Sequence, residues 1–138
     1  MLRVSTIMVL ALLLNGCGGG DDGPTTYTVS GTVTLNGETL SQGDIIFRPA
    51  DGTGQSYAGK VVDGAYQFEC EAGEKKVEIT SYREVPGQTR EDNPGEVVNV
   101  TEQIVPANYN VNSELKASIS ADTTENNFDL TGDPPNSK

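Results

Sequence analysis

Ser113-Glu-Leu-Lys116 places a nucleophile and an amine at the S-x-x-K spacing of serine acyl-transfer enzymes, where the lysine sits one helical turn from the serine. That geometry needs a helix. Residues 115–120 instead alternate Leu115, Ala117 and Ile119 with Lys116, Ser118 and Ser120, the period of a strand, and the partner motifs S-D-N and K-T-G are missing. The match is read as chance. Histidine is absent and there are two cysteines, Cys17 and Cys70, so the usual ligand sets of zinc cannot be assembled. Oxygen ligands for calcium occur at Asp51, in Glu91-Asp92-Asn93, and at Asp122, Glu125, Asn126 and Asn127, but none follows the spacing of an EF-hand loop. They read as solvated turns, where Asp and Asn are common for conformational reasons. The expectation is a non-enzymatic protein with no cofactor and no metal.

Cys17 has a different reading, set by what precedes it. Met1-Leu2-Arg3 gives a basic start, and residues 4–14 form an apolar run broken only by Ser5 and Thr6. Such a run is shorter than the roughly 20 residues a helix needs to cross a bilayer. A basic start, a short apolar stretch and small residues after it are the pattern of an export signal. Leu14-Asn15-Gly16-Cys17 resembles the lipobox of bacterial lipoproteins, with Asn15 off the usual pattern of Ala, Ser or Thr. The resemblance implies a signal peptide over residues 1–16, diacylglycerol on the Cys17 thiol, and cleavage before it. One acyl chain holds a protein to a membrane only marginally, so stable attachment takes two or more. Residues 17–26 then serve as lipidated anchor and flexible linker, the nine from Gly18 onward spanning about 15–18 Å. Gly18, rather than Asp, follows the cysteine, which in that family tilts sorting towards the outer membrane.

The chain of 138 residues carries a net charge of −11. Removing the signal takes Arg3 with it and leaves 8 of the 9 Lys and Arg against 20 Asp and Glu, a net of −12. Nucleic acid is excluded as a partner, because phosphate binding requires a basic patch. With Cys17 acylated, Cys70 has no intrachain partner even in an oxidising compartment. Residues 27–131 are enough for one domain, and 132–138 read as a disordered tail.

Within that domain, seven short strands are predicted. Tyr27, Val29, Gly31, Val33 and Leu35 share one face, and Asn36-Gly37 is a tight-turn signal. Ile45 and Phe47 mark the second strand, residues 57–62 the third, and Asp63-Gly64 the next turn. Tyr66, Phe68 and Cys70 face inward on the fourth; Val77 and Ile79 do so on the fifth, with Lys76, Glu78 and Thr80 outward. Leu115, Ala117 and Ile119 make the sixth, Phe128 and Leu130 the seventh. The pattern is all-β and argues a seven-stranded sandwich. Residues 83–112 are read as a long, mostly irregular insertion with one short apolar piece at 97–100.

Residues 27–40 (YTVSGTVTLNGETL), 43–49, 63–68 (DGAYQF) and Ala72-Gly73 resemble the carboxypeptidase regulatory-like domain, a transthyretin-like sandwich. Thr39 stands where that family has Pro, and Asp44 where it has Ala. The segment from Pro106 to Asn110, followed by Ser113-Glu-Leu115, is similar to one recurrent in small bacterial lipoproteins of this type. The resemblance implies a fold and an accessory, non-catalytic role. A hydrolase of purine catabolism shares the fold, but its site depends on histidines, which this chain lacks. The leading expectation is a membrane-tethered binding or structural module whose partner is another envelope protein. The alternative is a carbohydrate- or cell-wall-binding module using Tyr57, Tyr82 and Tyr109 as stacking faces, although Trp is absent. Connections longer than about 12–15 residues are functional or disordered more often than not. Arg83, Arg90, Glu91, Asp92 and Tyr109 are therefore the candidates for a binding loop, set against a flexible excursion with one added edge strand.

Overall fold

The computed structural model describes residues 23–135; the signal segment and Cys17 lie outside them. Ten strands follow in order: β1 (Thr26–Leu35), β2 (Glu38–Thr39), β3 (Gln42–Pro49), β4 (Tyr57–Val62), β5 (Ala65–Glu71), β6 (Gly73–Thr80), β7 (Tyr82–Asn93), β8 (Glu96–Gln103), β9 (Lys116–Ile119) and β10 (Phe128–Leu130). One 3₁₀ turn, Ala107–Tyr109, lies between β8 and β9. The all-β expectation holds. The described residues hold ten strands where seven were expected, β2, β7 and β8 being additional.

Eight strands form one sheet in the order β10-β1-β5-β4-β3-β6-β9, with β2 beside β1. All pairs are antiparallel except β1 with β10. The sheet is curled. Phe47 on β3 meets Phe128 on β10 at 6.3 Å between ring centroids, although those strands are far apart in the sheet order. Phe47 also meets Tyr66 and Phe68 edge-on, at 6.1 and 5.1 Å. Between β4 and β5 the pairing register is the single pair Val62–Ala65. Inside the curl lie Val29, Val33, Ile45, Phe47, Val61, Cys70, Val77, Ile79, Ile119 and Leu130, each almost wholly buried. Alternation puts them there, because successive side chains on a strand point to opposite faces.

The turns follow from the residues predicted to make them. Asn36 and Gly37 have φ of 54° and 83°, and Asp63 and Gly64 have 49° and 76°, the left-handed pairs that a tight hairpin turn needs. Gly31 has another purpose. A Cβ there would lie 1.8 Å from the Asn126 carbonyl oxygen. The chain crosses β1 at that point, with Ser30 N–H donating to Thr124 O, Asn126 N–H to Ser30 O, and the Tyr66 hydroxyl to Asn126 O at 2.6 Å. Gly31→Ala must push backbone away from backbone. We expect it to cost at least about 3 kcal/mol, read as a fall in the denaturant midpoint. A variant as stable as the parent would show that the 124–126 crossing is not fixed.

Residues 104–115 are also packed rather than loose. Val105 is buried, and the buried Asn110 donates its amide to Val105 O and Pro106 O at 3.1 and 3.0 Å. Ser113 Oγ donates to Val77 O and accepts from Leu115 N–H. Close to Pro106, Gly132 exchanges two hydrogen bonds with the Asn36 side chain.

Candidate functional site

The reading of residues 83–112 as mostly irregular is corrected by the structure: residues 82–103 are a long two-stranded hairpin, β7 against β8, and these strands pair only with each other. Its tip is Pro94-Gly95. Proline sets the first turn position, Gly95 supplies φ of 86° at the second, and Asn93 stands opposite Glu96. The Gly95 N–H donates to Glu91 Oε1 at 2.6 Å, and the Asn93 amide to Glu96 Oε2 at 2.7 Å. Pro86, which has no N–H to give, and Gly87, with φ of 74°, fall inside the register shift between Glu84 and Thr89. The base is clipped to the main sheet: Gln42 Nε2 donates to Tyr82 O, Ser81 N–H to Gln103 Oε1, and Ile104 N–H to Ser81 O.

The arm is acidic. Arg83 Nε lies 2.6 Å from Glu102 and Arg90 Nε 2.7 Å from Asp92, so both of its cations are spent within it. Glu84, Glu91 and Glu96 remain, a net of −3. Val97 is 65% exposed, while Val85, Val98 and Val100 are half-buried against the arm itself. At the base, Tyr82 (50% exposed) and Val62 (61%) border a concavity of about 380 Å³ beside the Asp44–Lys60 ion pair. An exposed strand pair with free edges, unspent carboxylates and a few bare apolar side chains is suited to gripping a protein surface or an extended chain.

Of the five candidate binding residues, the fold brings Arg83, Arg90, Glu91 and Asp92 onto this arm and separates Tyr109 from it. Tyr109 is half-buried in the 3₁₀ turn. Its hydroxyl accepts the Thr131 N–H at 3.2 Å and meets Thr131 Oγ1, contacts that hold the phenol below the usual tyrosine range. Tyr57 is also half-buried, so of the three tyrosines considered as sugar platforms only Tyr82 presents an open ring. Ser113 is buried and both of its hydroxyl contacts are structural, while Lys116 belongs to β9.

Cys70 sits wholly in the core, where burial pushes its thiol up. A raised pKa means less thiolate at neutral pH, and the thiolate is the reactive form. Maleimide is expected to label native Cys70 at least about a hundredfold more slowly than in urea. Fast native labelling, or a thiol-reversible dimer, would contradict this assignment.

Lys75 was missed by the sequence reading. It is 3% exposed, with Nζ 5.7 Å from the Tyr57 ring centroid. The signal was its parity with Val77 and Ile79. Beside it, Asp51 accepts the Thr53 N–H at 2.9 Å, which holds that carboxyl low. Among the described residues, no three His, Cys, Asp or Glu side chains gather as a metal-ligating group. No family model matches the chain, and no curated protein or solved structure matches it.

Proposed function

We propose that the chain is a lipid-anchored, non-catalytic module of the bacterial envelope that presents the β7–β8 arm to another envelope protein. The observation that carries this reading is strand direction. Thr26, where the linker enters, pairs with Glu71 at the end of the sheet that also holds Gly73, Ile119, Pro49 and Tyr57. Thr80, from which the arm departs, lies at the opposite end with Gln42, Val62 and Ala65. A chain tethered through Cys17 therefore carries its arm on the side away from the membrane, one strand length of about 25 Å further out. The transthyretin-like sandwich belongs to the same proposal: the curl of the sheet and the place of Gly31 agree with it.

Charge sets the partner's character. The arm is a patch of net −3 on a strongly acidic chain, which favours a basic partner and disfavours a second copy. A photo-crosslinker at Val97 should trap a basic envelope protein in intact cells, while one at Ala72, at the linker end, should not. Equal trapping from both positions would remove the arm from the reading.

A further inference from the structure

On the outer face of the sheet, strand register lines up three cations. Arg48 on β3 stands opposite Lys76 on β6, and Lys76 opposite Lys116 on β9. Neighbouring strands lie about 4.8 Å apart, so the row crosses the sheet within about 10 Å. Like charges directly opposite each other destabilise a sheet. In a chain with 9 Lys and Arg against 20 Asp and Glu, carboxylates are abundant enough to have broken such a row. They do so elsewhere, where Lys60 meets Asp44, Arg83 meets Glu102 and Arg90 meets Asp92. In the row, one carboxylate serves two cations: Glu78 Oε1 lies 3.1 Å from Arg48 Nε and 3.9 Å from Lys76 Nζ. Among the described residues no carboxylate stands within ion-pair distance of Lys116.

Beside that unbalanced half is a concavity of about 600 Å³ walled by Ala50, Lys76, Ser113, Glu114, Leu115 and Lys116. We propose that Lys76 and Lys116 form a binding site for a monosaccharide-sized organic anion. Its carboxylate or phosphate would take between these two lysines the place that Glu78 takes between Arg48 and Lys76. Ala50 and Leu115 supply apolar contact for a ring, and Glu114 accepts its hydroxyl groups. Pockets of this size hold ligands larger than a bare ion, so affinity comes from the anion and the ring together. The site is independent of the anchor and of the arm.

The test is an amide chemical-shift titration of the full chain with glucuronate, glucose 6-phosphate, glucose and inorganic phosphate. The two sugar anions are expected to shift Lys76, Leu115 and Lys116 with millimolar affinity that weakens with salt. Glucose should shift nothing, and inorganic phosphate should bind several-fold more weakly. Lys116→Gln should weaken binding at least about fivefold. Lys116→Glu separates site from scaffold: it turns a like-charged cross-strand pair into an opposite-charged one. It should raise Tm by about 1–4 °C while abolishing the shifts. Shifts elsewhere on the surface, binding retained by Lys116→Glu, or a lowered Tm in that variant would overturn the proposal. Inorganic phosphate binding as tightly as the sugar anions would overturn the role of the concavity.

Discussion

Cys17→Ala should move the protein from the membrane fraction to the soluble fraction and abolish incorporation of labelled fatty acid. The expected effect is close to all-or-none, because each buried CH₂ contributes about 0.8 kcal/mol and a lipidated cysteine carries two or three chains. No helix among the described residues is long and apolar enough to cross a membrane. The described domain offers no substitute of that kind. The variant should also retain the signal peptide, since cleavage in lipoproteins follows acylation, and so run at higher mass than the mature parent. Asn15, off the usual pattern, gives a graded control: Asn15→Ala should speed maturation without changing its endpoint. A wild-type chain that is soluble and unlabelled would remove the anchor from the proposed function. It would leave the fold, the arm and the cation row untouched.

How much was legible in the sequence depended on whether a residue faced the core. Val29, Val33, Ile45, Phe47, Val77 and Ile79 alternate with polar neighbours because one face of their strands is buried, and that alternation is what the sequence reading detects. The Asn36-Gly37 and Asp63-Gly64 turns were legible because few residues other than Asn, Asp and Gly tolerate φ above zero. β7 and β8 were hidden for the complementary reason. An arm that pairs only with itself has no core face, so Gln88, Thr89, Arg90 and Glu91 show no apolar period although they lie in a strand. Pro86-Gly87 reads as a loop in isolation and is a register shift in the fold. The local signs were the Asn93-Pro94-Gly95 turn and the short apolar piece at 97–100, with no matching apolar run on the strand before the turn. Lys75 escaped notice because a lysine on the inward parity reads as a strand end, and only the Tyr57 ring beside it explains its burial. The cation row is invisible to any one-dimensional reading. Residues 48, 76 and 116 become neighbours only through the register of three strands.

Replacing residues 88–95 with a Gly-Ser linker should reduce binding of the envelope partner at least about tenfold while shifting Tm by no more than about 2 °C. The two halves of that expectation come from one fact, that β7 and β8 pair only with each other. Core residues such as Phe47 and Val77 lose no neighbour when the outer arm is removed, whereas the partner loses Glu91, Val97's strand mate and the tip. Charge then tests the partner's chemistry. Glu84→Lys with Glu96→Lys turns the unspent −3 into +1 and leaves both arm ion pairs in place. Association with a basic surface should slow at least about tenfold in low salt and converge with the parent as salt rises, because exposed charges are screened beyond about 8 Å at physiological ionic strength. Limited proteolysis reads the same contact without a variant. Arg90 is exposed and Lys75 is buried, so trypsin should cut the free protein at Arg90 before it cuts within residues 74–76, and the bound partner should slow the cut at Arg90. If the Gly-Ser variant binds the partner undiminished, the arm is not the grip. The functional surface then moves to the opposite end of the sheet, to the loop around Asp51 or the turn at Asp122. That end faces the membrane in a chain anchored at Cys17, and a partner there would itself have to lie at the membrane surface.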